Sequence, residues 1–186
     1  MPRFDVTATR IDGLVVIRRK PVGDDRGFLS RLFCEEEFAA LGIPMRTRQI
    51  NHTMTRRSGT IRGMHFQNPP HAEIKLVTCL RGTVFDVAVD LRKGSPTFLQ
   101  WHGEVLSADA PSSLCIPRGF AHGFQAMTDD CELFYLHSDP YAPASEGALN
   151  ALDPALSIRW PLPPAEISPR DRAHVHLAPD FKGIEA

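Results

Sequence analysis

The chain has 186 residues, and its 21 Lys and Arg residues nearly balance its 22 Asp and Glu residues. This length suits one domain, residues 1–186, with a sizeable core. The charge balance argues against a nucleic-acid-binding protein and against a polybasic membrane patch. The apolar fraction of 42% is typical of a folded globular protein and excludes a disordered chain.

The cysteine pattern and the N-terminus indicate a cellular compartment. The four cysteines form no CxxC or CxxH pair, which argues against a zinc site built on cysteine: Cys34, Cys79, Cys115 and Cys131. The first residues contain no apolar signal core, and no run approaches the length of a membrane span. We therefore expect a cytoplasmic protein with reduced thiols and no membrane segment.

Three segments of the N-terminal half carry clear patterns. Residues 13–19, GLVVIRR, predict a strand at a sheet edge that pairs with a partner subunit. Residues 34–42 form the best helix pattern, with Gly42 as the C-terminal stop. Residues 60–77 predict a strand, a Pro-Pro turn and a second strand.

The following segments are short strand patterns separated by Gly, Pro, Asp and Ser. They cover residues 74–82, 82–92, 97–107, 113–117, 121–127 and 131–138. The first two predict a hairpin around Arg81 and Gly82. Residues 82–92 alternate between an apolar set and a set that includes Asp86 and Asp90, which predicts one apolar face and one more polar face.

The remaining chain completes the fold prediction. Beyond Asp153 the sequence is rich in proline and predicts short turns, with Ser168 as a helix cap. Many short strands and few helices predict a mostly β protein, an antiparallel sandwich or barrel. In such a fold the natural place for a small-molecule site is the interior.

Charged and polar side chains interrupt the apolar stretch 60–77: Arg62, His65, Gln67, Glu73 and Lys75. Because an unpaired ion is costly to bury, this stretch either lies on a wet surface or directs these groups into a pocket that uses them. The first two are an odd number of residues apart, so they would face opposite sides of a regular strand. If both reach one pocket, Gly63 must mark a bulge or the end of the strand.

Several segments, read together, carry a family resemblance. They are GDDRGFLSRLF (23–33), IRGMHFQ (61–67), KLVTCLRGTVFDVAVDLRKGSPTFLQW (75–101), IPRGFAHGF (116–124), YAPASEG (141–147) and ISPRD (167–171). In this order and spacing they resemble the dTDP-4-dehydrorhamnose 3,5-epimerase family, which has the cupin jelly-roll fold. The match covers residues 11–171, and the tail, 172–186, carries no signature.

The resemblance implies an activity and a catalytic set. It implies an isomerase without metal or cofactor, a cytoplasmic homodimer that epimerises C3, C5 or both in a nucleotide-diphosphate-linked 4-keto-6-deoxy sugar. The family's base falls on His65, its carboxylate partner on Asp171 and its tyrosine acid on Tyr135. Lys75 takes the place of the lysine near the keto oxygen.

The resemblance also implies the substrate contacts. The arginines at or near the diphosphate positions are Arg26, Arg62 and Arg170, and the other pocket positions are Gln49, Asn51 and Tyr141. Where the family commonly has aromatic residues near the nucleotide base, this chain has Val22 and Leu29. The nucleotide base, the sugar and the choice between C3 and C5 therefore stay open at this stage.

The chemistry of these residue types fits the same reaction. Removing a proton beside a ketone makes an enolate, which requires a base of near-neutral pKa, a cation at the oxygen and an acid on the opposite face. An imidazole such as His65, an ammonium such as Lys75 and a phenol such as Tyr135 meet these requirements. Taken singly, each has a plain alternative: a packed histidine, an edge-strand lysine and a core aromatic residue.

Two other functions remain as alternatives. His122 stands where metal cupins often supply a ligand, and with His65 and Gln67 or Glu73 it would fit a metal-dependent dioxygenase or isomerase. The HxH pair of such sites is missing because residue 67 is Gln, so we expect His122 to pack in the barrel or to support the site. The other alternative is a nucleotide-sugar binding protein without catalysis, which the intact His65, Tyr135 and Asp171 disfavour.

Overall fold

The structure is a computed structural model that describes residues 2–185. Its strands are β1 (Phe4–Ala8), β2 (Val15–Arg19), β3 (Val22–Asp24), β4 (Gly27–Leu29), β5 (Gln49–Thr55), β6 (Thr60–Gln67), β7 (Lys75–Arg81), β8 (Thr83–Asp90), β9 (Trp101–Ser107), β10 (Ser112–Ile116), β11 (Phe120–Ala126), β12 (Cys131–His137), β13 (Glu146–Ala148) and β14 (Glu166–Ile167). The helices are α1 (Glu35–Ala40) and α2 (Pro169–Arg172), with a 3-10 turn at Pro143–Ser145.

Two large sheets build the fold. Sheet 1 has the strand order β1-β2-β10-β7-β12-β5, and sheet 2 has the order β13-β6-β11-β8-β9. Neighbouring strands are antiparallel, except that the short β14 joins β6 in parallel. Strands β3 and β4 form a separate two-stranded hairpin. The predicted mostly β, antiparallel jelly roll with few short helices is confirmed.

Apolar residues form three layers across the two sheets. The central layer contains Val77 and Leu133 of sheet 1 and Val84 and Phe124 of sheet 2, so it lies between the sheets. A second layer covers the outer face of sheet 2 with the C-terminal segment, and a third covers sheet 1 with α1. Because both outer faces are covered, the sheets bury apolar side chains on both sides.

Most predicted elements are present within one or a few residues. The strands predicted at 74–82, 82–92, 113–117, 121–127 and 131–138 correspond to β7, β8, β10, β11 and β12. The strand predicted at 97–107 begins only at Trp101 because residues 97–99 form a turn. The helix predicted at 34–42 is α1, and Ser168 caps α2 by accepting a hydrogen bond from the backbone N of Asp171 at 3.0 Å.

Two predictions about strand pairing are wrong. Strands β7 and β8 form no hairpin, because β7 pairs with β10 and β12 in sheet 1 while β8 pairs with β9 and β11 in sheet 2. Gly82, with φ +73°, passes the chain from one sheet to the other. The strand of residues 13–19 does not lie at an edge, because β1 pairs with β2 on one side and β10 on the other.

The alternation in residues 82–92 has a different meaning from the one expected. The apolar set packs under the C-terminal segment, and the set that contains Asp86 points between the two sheets. Asp86 and Asp90 are fully buried. The more polar face of β8 is therefore an inner face, which is the arrangement that a site inside the sandwich requires.

The bulge expected near Gly63 is present. Arg62 pairs with Phe124 and His65 pairs with His122, so three steps on β6 oppose two on β11. Gly63 has φ +122°, and a Cβ there would lie 2.5 Å from the Cα of Gly123. Glycine is required because only a residue without a side chain fits this approach of two backbones.

No helix among residues 2–185 has the length and apolar character needed to cross a membrane. All four cysteines are free thiols.

Candidate active site

A cavity of about 600 Å³ opens between the two sheets. Sheet 1 contributes Asn51, Lys75 and Tyr135 to its wall, and sheet 2 contributes Arg62 and His65. The helix α2 closes one side with Arg170 and Asp171. A smaller cavity of about 300 Å³ adjoins it and adds Gln49, Glu73, Tyr141 and Glu146. Nine of the ten residues predicted for the site line one of these two cavities.

His65 and Asp171 form a hydrogen-bonded pair, although they are 106 residues apart in the chain. His65 Nε2 lies 2.9 Å from Asp171 Oδ1. The other carboxylate oxygen of Asp171 accepts a hydrogen bond of 3.4 Å from the backbone N of Gly63. Asp171 is buried, and an ionised carboxylate keeps Nε2 of the ring protonated. The unprotonated Nδ1 of His65 is then free to accept a proton.

The charge state of His65 suits this arrangement. Burial lowers the pKa of His65, and the charge of Lys75 lowers it further, while the Asp171 carboxylate opposes both effects. The net effect is a pKa below the usual value of histidine, so the ring is neutral near neutral pH. A neutral imidazole whose orientation is set by a carboxylate has the form of a general base.

Lys75 belongs to a chain of polar groups that are connected by hydrogen bonds and ion pairs. Its Nζ lies 3.3 Å from Glu73 Oε1 and donates to the backbone O of His65 at 3.4 Å. Glu73 Oε2 lies 2.8 Å from Nδ1 of His137, whose Nε2 lies 3.2 Å from Nδ2 of Asn51. The Glu73 carboxylate thus holds both an ammonium group and an imidazole at the cavity wall.

Tyr135 lies on sheet 1, across the cavity from His65 on sheet 2. Its hydroxyl accepts from Thr53 Oγ1 at the limiting distance of 3.5 Å, and its ring packs between two histidine rings, with centroid distances of 5.9 Å to His122 and 6.1 Å to His137. Burial raises the pKa of the Tyr135 phenol, so the hydroxyl keeps its proton. His65 and Tyr135 therefore belong to opposite walls of one cavity.

His122 is held by a second carboxylate. Its Nε2 lies 2.8 Å from Asp86 Oδ1, and both side chains are buried. His122 lines the large cavity directly opposite His65 in the strand pairing. His122 was expected to pack in the barrel or to support the site, and the structure places it buried at the cavity wall.

The predicted substrate-binding residues fall into two groups. Arg62 and Arg170 line the large cavity, where Arg62 donates to Thr55 Oγ1 at 3.1 Å and Arg170 pairs with Glu146 at 2.5 Å. Gln49, Asn51 and Tyr141 line the smaller cavity. Tyr141 donates from its hydroxyl to Glu146 Oε2 at 2.8 Å, and Gln49 Oε1 accepts from the Tyr141 backbone N at 2.9 Å.

Arg26 is the exception, because it lines neither cavity. It lies in the turn of the β3–β4 hairpin, where its side chain is 89% exposed and bonds to Asp24 at 2.6 Å. The same hairpin exposes Val22, Phe28 and Leu29. Within one subunit, the structure does not bring Arg26 to the site.

The metal-binding alternative can be compared with these positions. Gln67 is committed to the backbone, since its Nε2 donates to His71 O at 3.0 Å and its Oε1 accepts from the Ala142 N at 2.7 Å. Among residues 2–185, one group of three His, Cys, Asp or Glu side chains has metal-ligand spacing: His65, Asp171 and His174. It contains neither His122 nor Glu73.

Sequence reasoning missed several polar residues of the site. Asp86 and Glu146 had no assigned role, and His137 was not singled out. The alternation of β8 placed Asp86 on its more polar face, but the local sequence did not show which face of the strand lies in the interior. The pairs with His122 and His137 join residues 36 and 64 positions apart in sequence, so they needed the fold to be known.

The buried pair of Glu73 and Lys75 yields a stability prediction. Burial raises the pKa of Glu73, but the hydrogen bond from His137 and the charge of Lys75 outweigh it, so the pKa is lowered overall. A lowered folded-state pKa stabilises the fold above the unfolded-state pKa, near 4.3, and this stabilisation is lost as the pH falls through the folded-state value. We expect Glu73→Gln to reduce the free energy of unfolding at pH 7 by about 2 kcal/mol or more, because Lys75 loses its partner.

Urea denaturation at several pH values measures this effect, and the difference from the unmodified chain should shrink below about pH 4. Glu185→Gln is the matched control, since Lys93 and Glu185 form a similar but exposed pair at 2.7 Å. Little change is expected there. An equal loss in both variants would show that burial does not strengthen the Glu73–Lys75 pair.

The sequence matches proteins of a known family. The sequence profile of the dTDP-4-dehydrorhamnose 3,5-epimerase family matches residues 8–179. The dTDP-4-dehydrorhamnose 3,5-epimerase of Salmonella typhimurium is 42% identical over 172 residues, which cover 90% of this chain and 92% of that protein. The dTDP-4-dehydrorhamnose 3-epimerase of Streptomyces niveus is 41% identical over 169 residues, which cover 90% of this chain and 81% of that protein.

A solved structure shows the same fold. The crystal structure of dTDP-4-dehydrorhamnose 3,5-epimerase from Bacillus anthracis, with TDP and pyrophosphate bound, superposes with a TM-score of 0.91. It is 36% identical in sequence, and the alignment covers 94% of this chain and 99% of that one. The profile match, the two relatives and this structure show that the chain belongs to the dTDP-4-dehydrorhamnose 3,5-epimerase family.

Proposed function

We propose that this chain is an isomerase that epimerises the carbons next to the ketone of a nucleotide-diphosphate-linked 4-keto-6-deoxy sugar. The observation that carries the proposal is the position of His65, paired with buried Asp171, on one wall of the cavity and Tyr135 on the other. A sugar ring between the two walls has a base on one face and an acid on the other, as inversion requires.

His65 is the proposed base. Its hydrogen bond to Asp171 keeps the Nε2 proton in place, so Nδ1 accepts the proton from the carbon beside the ketone. The Asp171 carboxylate then stabilises the positive charge of the resulting imidazolium. The 3.4 Å contact of Asp171 with Gly63 N helps to hold that carboxylate in position.

Lys75 is the proposed partner of the enolate oxygen. Its ammonium group is held at the cavity wall by Glu73 and by the backbone O of His65. A cation fixed before the reaction stabilises charge that develops on the oxygen without reorganising solvent. Glu73 positions this cation in the proposed mechanism and does not contact the reacting atoms.

Tyr135 is the proposed acid. Burial keeps its phenol protonated, and an enolate carbon is basic enough to take the proton. The His122–Asp86 and His137–Glu73 pairs flank the ring and fix its position.

Arg62 and Arg170 are the proposed diphosphate contacts, since guanidinium groups pair with phosphate oxygens in a planar fork. Arg170 pairs with Glu146 in the structure and would exchange that partner for phosphate. The TDP and pyrophosphate bound in the Bacillus anthracis relative support thymidine diphosphate as the nucleotide part. The 3,5-epimerase and 3-epimerase relatives are similarly close, so a test must read C3 and C5 separately.

We propose further that the enzyme works as a homodimer. Arg26, predicted to contact diphosphate, lies on an exposed hairpin with the apolar Val22, Phe28 and Leu29, which are 51%, 77% and 70% exposed. Single exposed apolar residues are common, but three on one short hairpin indicate a contact surface. A hairpin that docks on a second subunit would bring Arg26 to that subunit's cavity.

The first prediction concerns the base. The unmodified chain should exchange the protons beside the ketone with deuterium from solvent, read by NMR at C3 and C5 of dTDP-4-keto-6-deoxyglucose. His65→Asn should slow this exchange at least about a hundredfold, because the base is lost. His71→Asn is the control, since His71 pairs with Asp139 at 2.8 Å outside both cavities. Full exchange by His65→Asn would refute the assignment.

A second prediction separates the acid from the base. Tyr135→Phe should retain proton exchange, since His65, Asp171 and Lys75 remain, while inverted product falls about a hundredfold or more. The same NMR experiment reads both quantities. Tyr141→Phe serves as the comparison, and its effect should fall on KM because Tyr141 lies at the rim of the smaller cavity. Equal loss of exchange and inversion in Tyr135→Phe would make Tyr135 a positioning residue.

The dimer is tested by complementation between two weakened variants. Arg26→Ala should raise KM, and His65→Asn should be inactive. In a mixed dimer, the Arg26→Ala subunit keeps His65 and receives the intact Arg26 of its partner, so one site in two becomes fully functional. Activity that stays at the level of the separate variants, or a monomer by light scattering, would contradict the proposal.

A further inference from the structure

The end of α2 places a second histidine beside the His65–Asp171 pair. His174 Nε2 lies 3.8 Å from Asp171 Oδ1, and the His174 ring meets the His65 ring edge to face at a centroid distance of 6.0 Å. The proposed mechanism assigns no task to His174. Its side chain is about four-fifths buried, with 22% exposed.

The imidazole of His174 carries an unsatisfied polar atom. Among the described residues, its Nε2 is buried and has no hydrogen-bond partner. A buried nitrogen without a partner is costly, so it calls for an explanation. The atom lies 3.8 Å from the same Asp171 oxygen that His65 contacts, so three potential metal ligands lie around one point.

The backbone holds this arrangement in place. Asn150 Nδ2 donates to the His174 backbone O at 3.0 Å and to the Arg172 backbone O at 3.4 Å. The segment after α2 is therefore tied to the loop that follows β13. Asp171 is itself fixed by its contacts with Ser168 and Gly63.

We propose that His65, Asp171 and His174 form a binding site for a zinc-like divalent transition metal, and that occupancy of this site switches the enzyme off. The three ligand atoms lie within 4.8 Å of one another. Zinc bonds of 2.0–2.2 Å in a tetrahedron separate ligand atoms by about 3.4 Å. The observed distances of 2.9 and 3.8 Å fall on either side of this value, so small side-chain rotations complete the site.

The ligand chemistry selects the class of metal. Two imidazoles and one carboxylate suit zinc, cobalt, nickel and iron, whereas magnesium and calcium prefer oxygen ligands. Two cations near the site have carboxylate partners of their own, since Lys75 pairs with Glu73 and Arg170 pairs with Glu146. Neither is an unpaired charge that would repel a metal.

The inhibition follows from the tautomer of His65 and rests on the proposed function. The metal needs the Nε2 lone pair, so the Nε2 proton must move to Nδ1. The nitrogen that faces the substrate then carries a proton and has no lone pair. The enzyme loses its base, although the fold and the substrate contacts are unchanged.

Metal binding is measured first, without any reference to activity. Chelator-treated protein is titrated with Co²⁺, whose visible absorption reports the geometry of its ligands, and Zn²⁺ is then added to displace it. We expect one Co²⁺ per chain, unaffected by excess Mg²⁺. His174→Asn should weaken Co²⁺ binding at least about tenfold, which is the lower end of the loss that follows when contacts of a metal site are removed. His176→Asn is the matched control, an exposed histidine two residues away, and should bind as the unmodified chain does.

Activity is measured next. Zn²⁺ should inhibit solvent exchange by the unmodified chain and by His176→Asn, and the same concentration should leave His174→Asn active. Without metal, His174→Asn should exchange protons at the rate of the unmodified chain. The inference about the metal site would be overturned if the metal-free enzyme exchanged protons but bound no Co²⁺. It would also be overturned if the unmodified chain and His174→Asn bound Co²⁺ equally well. If the unmodified chain bound Co²⁺ but did not exchange protons in the absence of metal, the proposed function would be overturned instead.

Should His174→Asn fail to fold by circular dichroism, imidazole ¹⁵N NMR of the unmodified chain decides the question. Zinc should shift the Nε2 signals of His65 and His174 and leave His176 unchanged. Shifts confined to His176, or spread evenly over the histidines, would contradict the site.

Discussion

The site depends on one buried carboxylate. Asp171 stands at the start of a four-residue helix near the C-terminus, yet its two oxygens contact His65 and the backbone of Gly63 on β6. A buried ionised group must find compensating partners, and these contacts supply them. The same contacts tie the C-terminal segment to β6, so the pairing of His65 with Asp171 also closes the wall of the cavity.

The bulge of β6 directs both Arg62 and His65 into the cavity. A regular strand would direct Arg62 and His65 to opposite faces, and only the extra residue opposite Gly123 turns both toward the interior. The bulge in turn requires two backbones to approach where no side chain fits. A local distortion of a single strand thus brings Arg62 and His65 to one cavity.

The interior of this sandwich is more polar than a simple core. Three histidine–carboxylate pairs from the described chain surround the cavity: His65–Asp171, His122–Asp86 and His137–Glu73. The first pair joins α2 to β6, the second joins the neighbouring strands β11 and β8, and the third joins β12 to the segment before β7. Hydrogen-bonded pairs of this kind keep a polar interior ordered, because every group that is moved leaves a buried partner unsatisfied.

Much of this fold was predictable from sequence, and the errors have clear physical causes. Short apolar runs between Gly and Pro located most strands, and the quoted motifs indicated the family. The predicted β7–β8 hairpin failed because a tight turn at Gly82 looks the same whether the chain folds back within one sheet or crosses to the other. Sequence patterns carry the period of a strand and not the identity of its neighbours.

The same limit applies to the site. The residues matched through the family motifs line the two cavities, with the exception of Arg26. Glu146 belongs to a segment with no strand or helix signal, and it reaches the smaller cavity because β13 pairs with β6. Contacts between distant segments of this kind follow from tertiary packing, which local sequence does not encode.

The state of the His65 ring is the central claim, and ¹⁵N NMR of the imidazole nitrogens at neutral pH, without metal or substrate, tests it most directly. The account predicts a neutral ring with its proton on Nε2, hydrogen-bonded to Asp171, and a bare Nδ1. The Asp171→Asn variant should lose this preference. A ring protonated on Nδ1, or an imidazolium at neutral pH, would contradict the account, because His65 would then have no lone pair facing the substrate.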